Sequence, residues 1–158
     1  MRPLIGWIGG KGVALAEKQI TDDKQQNGED MGKEKAVKEK PKTLFIIEDD
    51  NQVLSMMKNY FEYLGYKILT ASNGMEGLKM AASQNYDLVI TDIVMPYVCG
   101  VGILTVIKEK MPNIPVIAIT AYGKNPERLA AEKQADVVLR KPFEMEKLKN
   151  HVAGLLGG

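Results

Sequence analysis

From residue 43 onward the chain alternates five times between a short apolar run and a segment of helical periodicity, and this alternation limits the fold more than any other feature. The apolar runs are 43–47 (TLFII), 66–70 (YKILT), 87–91 (DLVIT), 114–119 (IPVIAI) and 136–140 (DVVLR). They are rich in Ile, Val and Leu and read as strands buried on both faces, the pattern of a parallel sheet. Helix-like segments lie between them. In 51–64, Val53, Met57, Phe61 and Leu64 recur at helical spacing; in 73–85, Asn73 can cap while Leu78, Ala81 and Ala82 face inward. Segment 101–110 carries Leu104 and Ile107, 124–134 opens with Asn125-Pro126-Glu127, and 143–156 carries Leu148, Val152 and Leu155. Short connections between these elements predict an α/β fold. It is a doubly wound, five-stranded parallel sheet with right-handed crossovers and helices on both faces.

The first 42 residues have a different character. "TDDKQQNGEDMGKEKAVKEKPK" (21–42) mixes both charge signs and holds almost nothing large and apolar. Such a stretch cannot bury enough surface to offset its chain entropy. The expected organisation is a disordered or loosely helical extension over 1–42, with "VALAEKQI" as a short helix, a folded domain over 43–156 and a tail at 157–158. "GWIGGKG" (6–12) is one residue too short for a phosphate-binding loop, and Gly12 stands where Ser or Thr is needed. Met31-Gly32-Lys33 would serve as a second translation start, which would leave residues 1–30 outside the native protein.

Composition acts here by exclusion. A chain of 158 residues, 45% hydrophobic and 26% charged, is enough for one domain with a real core. A net charge of +1 gives no electrostatic case for nucleic acid or an anionic membrane. No apolar run approaches the roughly 20 residues of a membrane span, and the N-terminus is too short for a secretory signal. The one cysteine, Cys99, leaves no intramolecular disulfide framework and fits a reducing compartment, so a cytoplasmic location is expected. One histidine excludes a multi-histidine metal site.

In an open parallel sheet, ligands bind beyond the carboxyl ends of the strands. The residues there are Glu48-Asp49-Asp50, Ala71-Ser72-Asn73-Gly74, Asp92, Thr120-Ala121 and Lys141-Pro142. Of the first acidic run, Asp50 or Asn51 caps the following helix, leaving Glu48 and Asp49 free. Glu48, Asp49 and Asp92 would repel one another without a counter-charge, so they raise each other's pKa or recruit a cation. Oxygen-only ligands suit a hard divalent ion, Mg²⁺ before Mn²⁺. Lys141 offers a point charge and Thr120 a hydroxyl for phosphoryl oxygens. A carboxylate in that company is a nucleophile for phosphoryl transfer, giving an aspartyl phosphate.

Four pieces carry a family resemblance: "LFIIEDDN" (44–51), "DLVITDIVMPYVCG" (87–100) with its D-x-x-M-P-x-x-x-G spacing, "VIAITAYG" (116–123) and "VVLRKPF" (137–143). With these in order, residues 43–156 resemble the receiver domain of two-component response regulators. The resemblance implies the flavodoxin-like (βα)5 fold with strand order 2-1-3-4-5. It implies Asp92 as phosphoacceptor, Asp49 as direct metal ligand, Glu48 acting on the metal through water, and Val94 lending its backbone carbonyl. Thr120 and Lys141 would bind phosphate, joined by the amide of Ala121, and Lys141-Pro142 would be cis.

The resemblance further implies a sensor histidine kinase or phosphotransfer protein as donor, and no classical enzymatic activity beyond self-phosphorylation and autodephosphorylation. With nothing after "HVAGLLGG", output is expected through contact with a downstream protein, without nucleic acid or membrane insertion. Two residues depart from the family pattern. Val138 stands where an inward-turning Tyr or Phe is common, and Cys99 where Asp is frequent. Val138 favours a second reading, a receiver-fold scaffold that binds regardless of phosphorylation. A dehalogenase-type phosphatase needs D-x-D, which Asp92-Ile93-Val94 lacks. Met56, Met57, Met75 and Met80 read as core or flexible packing. His151 reads as a solvated or interface residue rather than a relay histidine.

Overall fold

Strand β1 (Thr43–Ile47) shows how the sheet divides its side chains. Successive residues of a strand point to opposite faces. Leu44 and Ile46 enter one core, and Phe45 and Ile47 enter the other; all four are fully buried. The computed structural model describes residues 39–157 except Gln84, Cys99, 122–131 and Lys133. Most of the N-terminal extension, the alternative start at Met31, most of the helix expected at 124–134, and Cys99 lie outside the described residues.

After β1 come α1 (Asn51–Tyr63), β2 (Lys67–Ala71), α2 (Gly74–Ser83), β3 (Leu88–Asp92), α3 (Gly100–Lys110), β4 (Val116–Thr120), β5 (Val137–Arg140) and α4 (Met145–Leu156). The sheet runs β2-β1-β3-β4-β5 with every neighbouring pair parallel, the expected order. β3 and β4 are buried at every position, as strands covered on both faces should be. On one face Leu54, Met57 and Phe61 of α1 join Leu148 and Val152 of α4 over Leu44, Ile46, Ile90 and Ile117. On the other, Ala81 of α2 joins Ile103, Leu104 and Ile107 of α3 over Phe45, Ile47, Val89 and Ala118. Each large side chain so buried contributes about 2 kcal/mol.

The helix starts are set by side-chain caps. Asp50 Oδ1 accepts from the amides of Gln52 (2.8 Å) and Val53 (3.2 Å), so Asp50 rather than Asn51 caps α1. Asn73 Oδ1 accepts from the amide of Glu76 (2.9 Å) at the start of α2.

Several details differ from the sequence reading. β2 to β4 each end one residue later than expected, so Asp92 and Thr120 are the last residues of their strands rather than the first beyond them. Ala82 faces solvent, because it lies about 100° around the helix from buried Ala81. The inward position belongs to Gly77, where a Cβ would stand 2.8 Å from Ile47 Cγ2. Leu64 is exposed because α1 ends at Tyr63 and Leu64 only caps it, while Leu54 supplies the missing core contact. Met57 belongs to one core and Met80 packs against the other, but Met56 and Met75 are exposed. His151, on α4, is half-buried.

Candidate functional site

Three parallel strands, β1, β3 and, beyond β4, β5, each deliver a charged group to the same edge. Glu48 follows β1 directly and is fully buried, with its amide bonded to Ala71 O (3.1 Å). Asp92 closes β3 opposite Ile119 of β4 and is 5% exposed. Lys141 follows β5, held there by its own amide on Thr120 O (2.8 Å). Its ammonium group lies 2.6 Å from Asp92 Oδ2 and 3.0 Å from Glu48 Oε2. The peptide bond from Lys141 to Pro142 is cis, as expected.

Asp49 completes the cluster as its least buried member. One carboxylate oxygen from each of Glu48, Asp49 and Asp92 lies within 4.8 Å of the others. Three carboxylates thus face a single ammonium, leaving the cluster two negative charges in excess. The strain shows in the titration behaviour. Burial pushes the Glu48 carboxyl above its ordinary value, with the nearby Asp92 charge adding to it and the Lys141 hydrogen bond only partly offsetting it. Burial alone would lower Lys141, but its hydrogen bonds to Asp92 and Glu48 hold it above the ordinary lysine value.

The remaining predicted residues reach the same edge. Thr120 is 1% exposed, and its hydroxyl donates to Ala121 O (3.1 Å). Ala121 is exposed and, with Val53, Met56, Lys141, Pro142 and Phe143, lines a cleft of about 470 Å³ beside the lysine. Val94 turns its side chain to solvent and donates its amide to Asp92 Oδ1 (2.7 Å). This contact was missed by the sequence reading, which assigned only its carbonyl. An acidic side chain bonding the amide two residues on is the usual Asx-turn, so the pattern was there to be read. The Lys141–Glu48 pair was also missed. Its signal was simple: Lys141 is the one cation among the residues expected at that edge.

Gly100 explains why the segment after Asp92 can close so tightly. A Cβ there would stand 2.7 Å from Ile93 Cα and 2.8 Å from Ile93 O. The Gly100 amide donates to that same oxygen (3.1 Å) as α3 begins. Only a residue without a side chain fits this approach of backbone to backbone.

Residues 44–153 match the family model of the response regulator receiver domain. The chain belongs to that family. The receiver is 34% identical over 114 residues to the response regulator SaeR of Staphylococcus epidermidis, a match that covers 72% of this chain and 49% of that protein. The chain thus spans about half the length of the curated relatives it matches. Among solved structures, the response regulator TrrA of Thermotoga maritima, in complex with Mg²⁺ and BeF, is 36% identical, with a TM-score of 0.66. That match covers 73% of this chain and 99% of TrrA. A receiver domain from Clostridium thermocellum is 32% identical with a TM-score of 0.67, covering 73% of this chain and 94% of that one. Receivers are signalling domains, and the flavodoxin-like fold is the family's own. Among the described residues, no helix is long and apolar enough to cross a membrane.

Proposed function

We propose that this receiver accepts a phosphoryl group on Asp92 and signals through protein contact in a two-component system. The observation that carries the reading is the pair of buried carboxylates, Glu48 and Asp92, sharing one lysine beside a third acid. A structural ion cluster would balance its charges. This one is left with negative charge in excess, which a divalent cation would neutralise, and the bound cation would in turn offer its charge to a phosphoryl group.

The all-oxygen, partly open donor set fits Mg²⁺ or Mn²⁺, held by Asp49 and Asp92 with Glu48 acting through water and the Val94 carbonyl completing the set. When bound, the ion neutralises the carboxylates and the charge on the transferring phosphoryl oxygens. A carboxylate oxygen of Asp92 attacks phosphorus: its P–O bond forms as the P–N bond of a phosphohistidine donor breaks, and the freed imidazole takes a proton from solvent. Lys141, already 2.6 Å from Asp92, moves its charge onto a phosphoryl oxygen. The Thr120 hydroxyl and the Ala121 amide serve the other oxygens.

The donor is a sensor histidine kinase or phosphotransfer protein, the setting is cytoplasmic, and the output partner is a further protein. Residues 43–156 form the receiver and 1–42 an extension before it. A scaffold indifferent to phosphate is not favoured, because it has no use for buried, uncompensated charge. Val138 is half-buried on β5 opposite Ala118. It cannot repeat the ring rotation of an aromatic, so the readout is placed elsewhere on the surface.

Calorimetric titration with BeF₃⁻ in Mg²⁺ is the test. Binding is expected to need both ions and to vanish in Asp92→Ala. Equal heats from wild type and Asp92→Ala would remove Asp92 from the role.

A further inference from the structure

Asp92 is 5% exposed, so a protein that delivers a phosphoryl group to it must settle on the surface immediately around it. An ordinary interface covers about 800 Å² on each partner, a patch reaching roughly 16 Å from its centre. Tyr97 lies five residues beyond Asp92, at most about 17 Å along a fully extended chain and nearer in a turn. It therefore falls within the area such a donor covers.

What the chain does with Tyr97 is unusual. The ring is fully exposed and its backbone has φ 68°, the left-handed region that disfavours a bulky side chain. The Val98 amide donates to Pro96 O (2.9 Å), which makes Tyr97 the centre of a three-residue turn of the strained hand. Glycine would adopt this turn without penalty. The turn is also pinned on both sides. Val94 is tied to Asp92 Oδ1, the Gly100 amide is bonded to Ile93 O, and Val98 packs so closely on α2 that a Cβ on Gly74 would stand 2.5 Å from Val98 Cβ. The ring is thus held outward on a fixed base, and Val94, three residues earlier in the same segment, is exposed as well. An exposed, pre-positioned aromatic ring is the residue type that anchors protein interfaces.

We propose that Tyr97 is a specificity-determining contact for the protein phosphodonor of this receiver; the inference rests on the phosphoacceptor reading of Asp92. Tyr97 touches neither the metal ligands nor the phosphoryl group, so a small donor would not need it and a protein donor would.

The test compares wild type, Tyr97→Ala, Tyr97→Gly and Tyr97→Phe with two kinds of donor: acetyl phosphate, and a panel of purified histidine kinases and phosphotransfer domains from the source organism. With acetyl phosphate and Mg²⁺ all four proteins load at the same rate. With the protein donor that loads wild type fastest, KM rises at least about fivefold in Tyr97→Ala and Tyr97→Gly with kcat little changed, and Tyr97→Phe recovers it. Tyr97→Gly unfolds at higher urea than Tyr97→Ala, since glycine relieves the turn, so a shared loss of donor affinity is not a loss of fold. An unchanged KM in Tyr97→Ala overturns the proposal. So does a panel in which no protein donor loads a wild type that acetyl phosphate loads. A wild type that acetyl phosphate cannot load at Asp92 overturns the underlying phosphoacceptor reading instead.

Discussion

The two edges of the sheet use the same chemical parts, lysine and carboxylate, to opposite ends. At the amino edge each acid is fully engaged. Asp136 Oδ2 accepts from the Val116 amide (2.7 Å) and from Lys108 (2.8 Å), which also reaches Ile114 O (3.1 Å). Asp87 Oδ2 takes the Thr43 amide (2.7 Å) while Lys42 stands 3.6 Å from its other oxygen. Each pair is one acid to one base, partly in water, and fastens the first residue of a strand. At the carboxyl edge Glu48 and Asp92 are buried, share Lys141, and have Asp49 beside them. The amino edge is built to be finished by the fold alone. The carboxyl edge gathers more acid than base.

The contrast can be broken most sharply at Lys141. Lys141→Ala leaves Glu48 and Asp92 without their base, and stability in metal-free buffer is expected to fall by about 3 kcal/mol, measured by urea unfolding. A loss under about 0.5 kcal/mol would mean that the cluster is no more strained than a surface pair. Gly100→Ala forces a Cβ onto the backbone of Ile93 and should cost about 2 kcal/mol by the same measurement. A neutral result would show that the turn after Asp92 is looser than described. At the amino edge, Asp136→Ala should cost about 1 kcal/mol, by stranding the Val116 amide.

The smallest effect has the opposite sign. Burial works to raise Asp136, but Lys108 and the Val116 amide outweigh it and hold that carboxyl below its ordinary value. Its contribution is therefore present above the unfolded pKa and lost as acid titrates the folded value. The Glu48 carboxyl is raised, so its contribution is full below the unfolded pKa and lost as pH rises through the folded value. Glu48→Gln should consequently raise metal-free stability slightly at neutral pH, where Asp136→Ala lowers it. Paired pH–stability curves would check the crossing; two losses would erase the difference between the edges.

Much of this was legible in the sequence because it is local or periodic. The parallel sheet, the Asp50 cap and the gathering of Glu48, Asp49, Asp92, Thr120 and Lys141 at one edge follow from alternating apolar runs and from what stands after each, while the strand order came with the family resemblance. What escaped was set by three-dimensional pairing or by helix phase. Lys141 and Glu48 are 93 positions apart, and only their shared place at the sheet edge, not either one's neighbours in sequence, points to their contact. Ala82 and Leu64 read as core from helical spacing, whereas the exact helix phase and the end of α1 put them in water. Tyr97 sits in a motif whose spacing was read correctly, but its left-handed backbone is imposed by the pinned turn around it and not by its own preference.

Completion of the carboxyl edge by phosphorylation is the property on which every other role given to these residues depends. Incubation with acetyl phosphate, with and without Mg²⁺, followed by peptide mass mapping, reads this directly. One phosphoryl group is expected on the peptide containing Asp92, only with the metal present, and none in Asp92→Ala. A phosphoryl group elsewhere, or none on Asp92 with Mg²⁺ in excess, would contradict it.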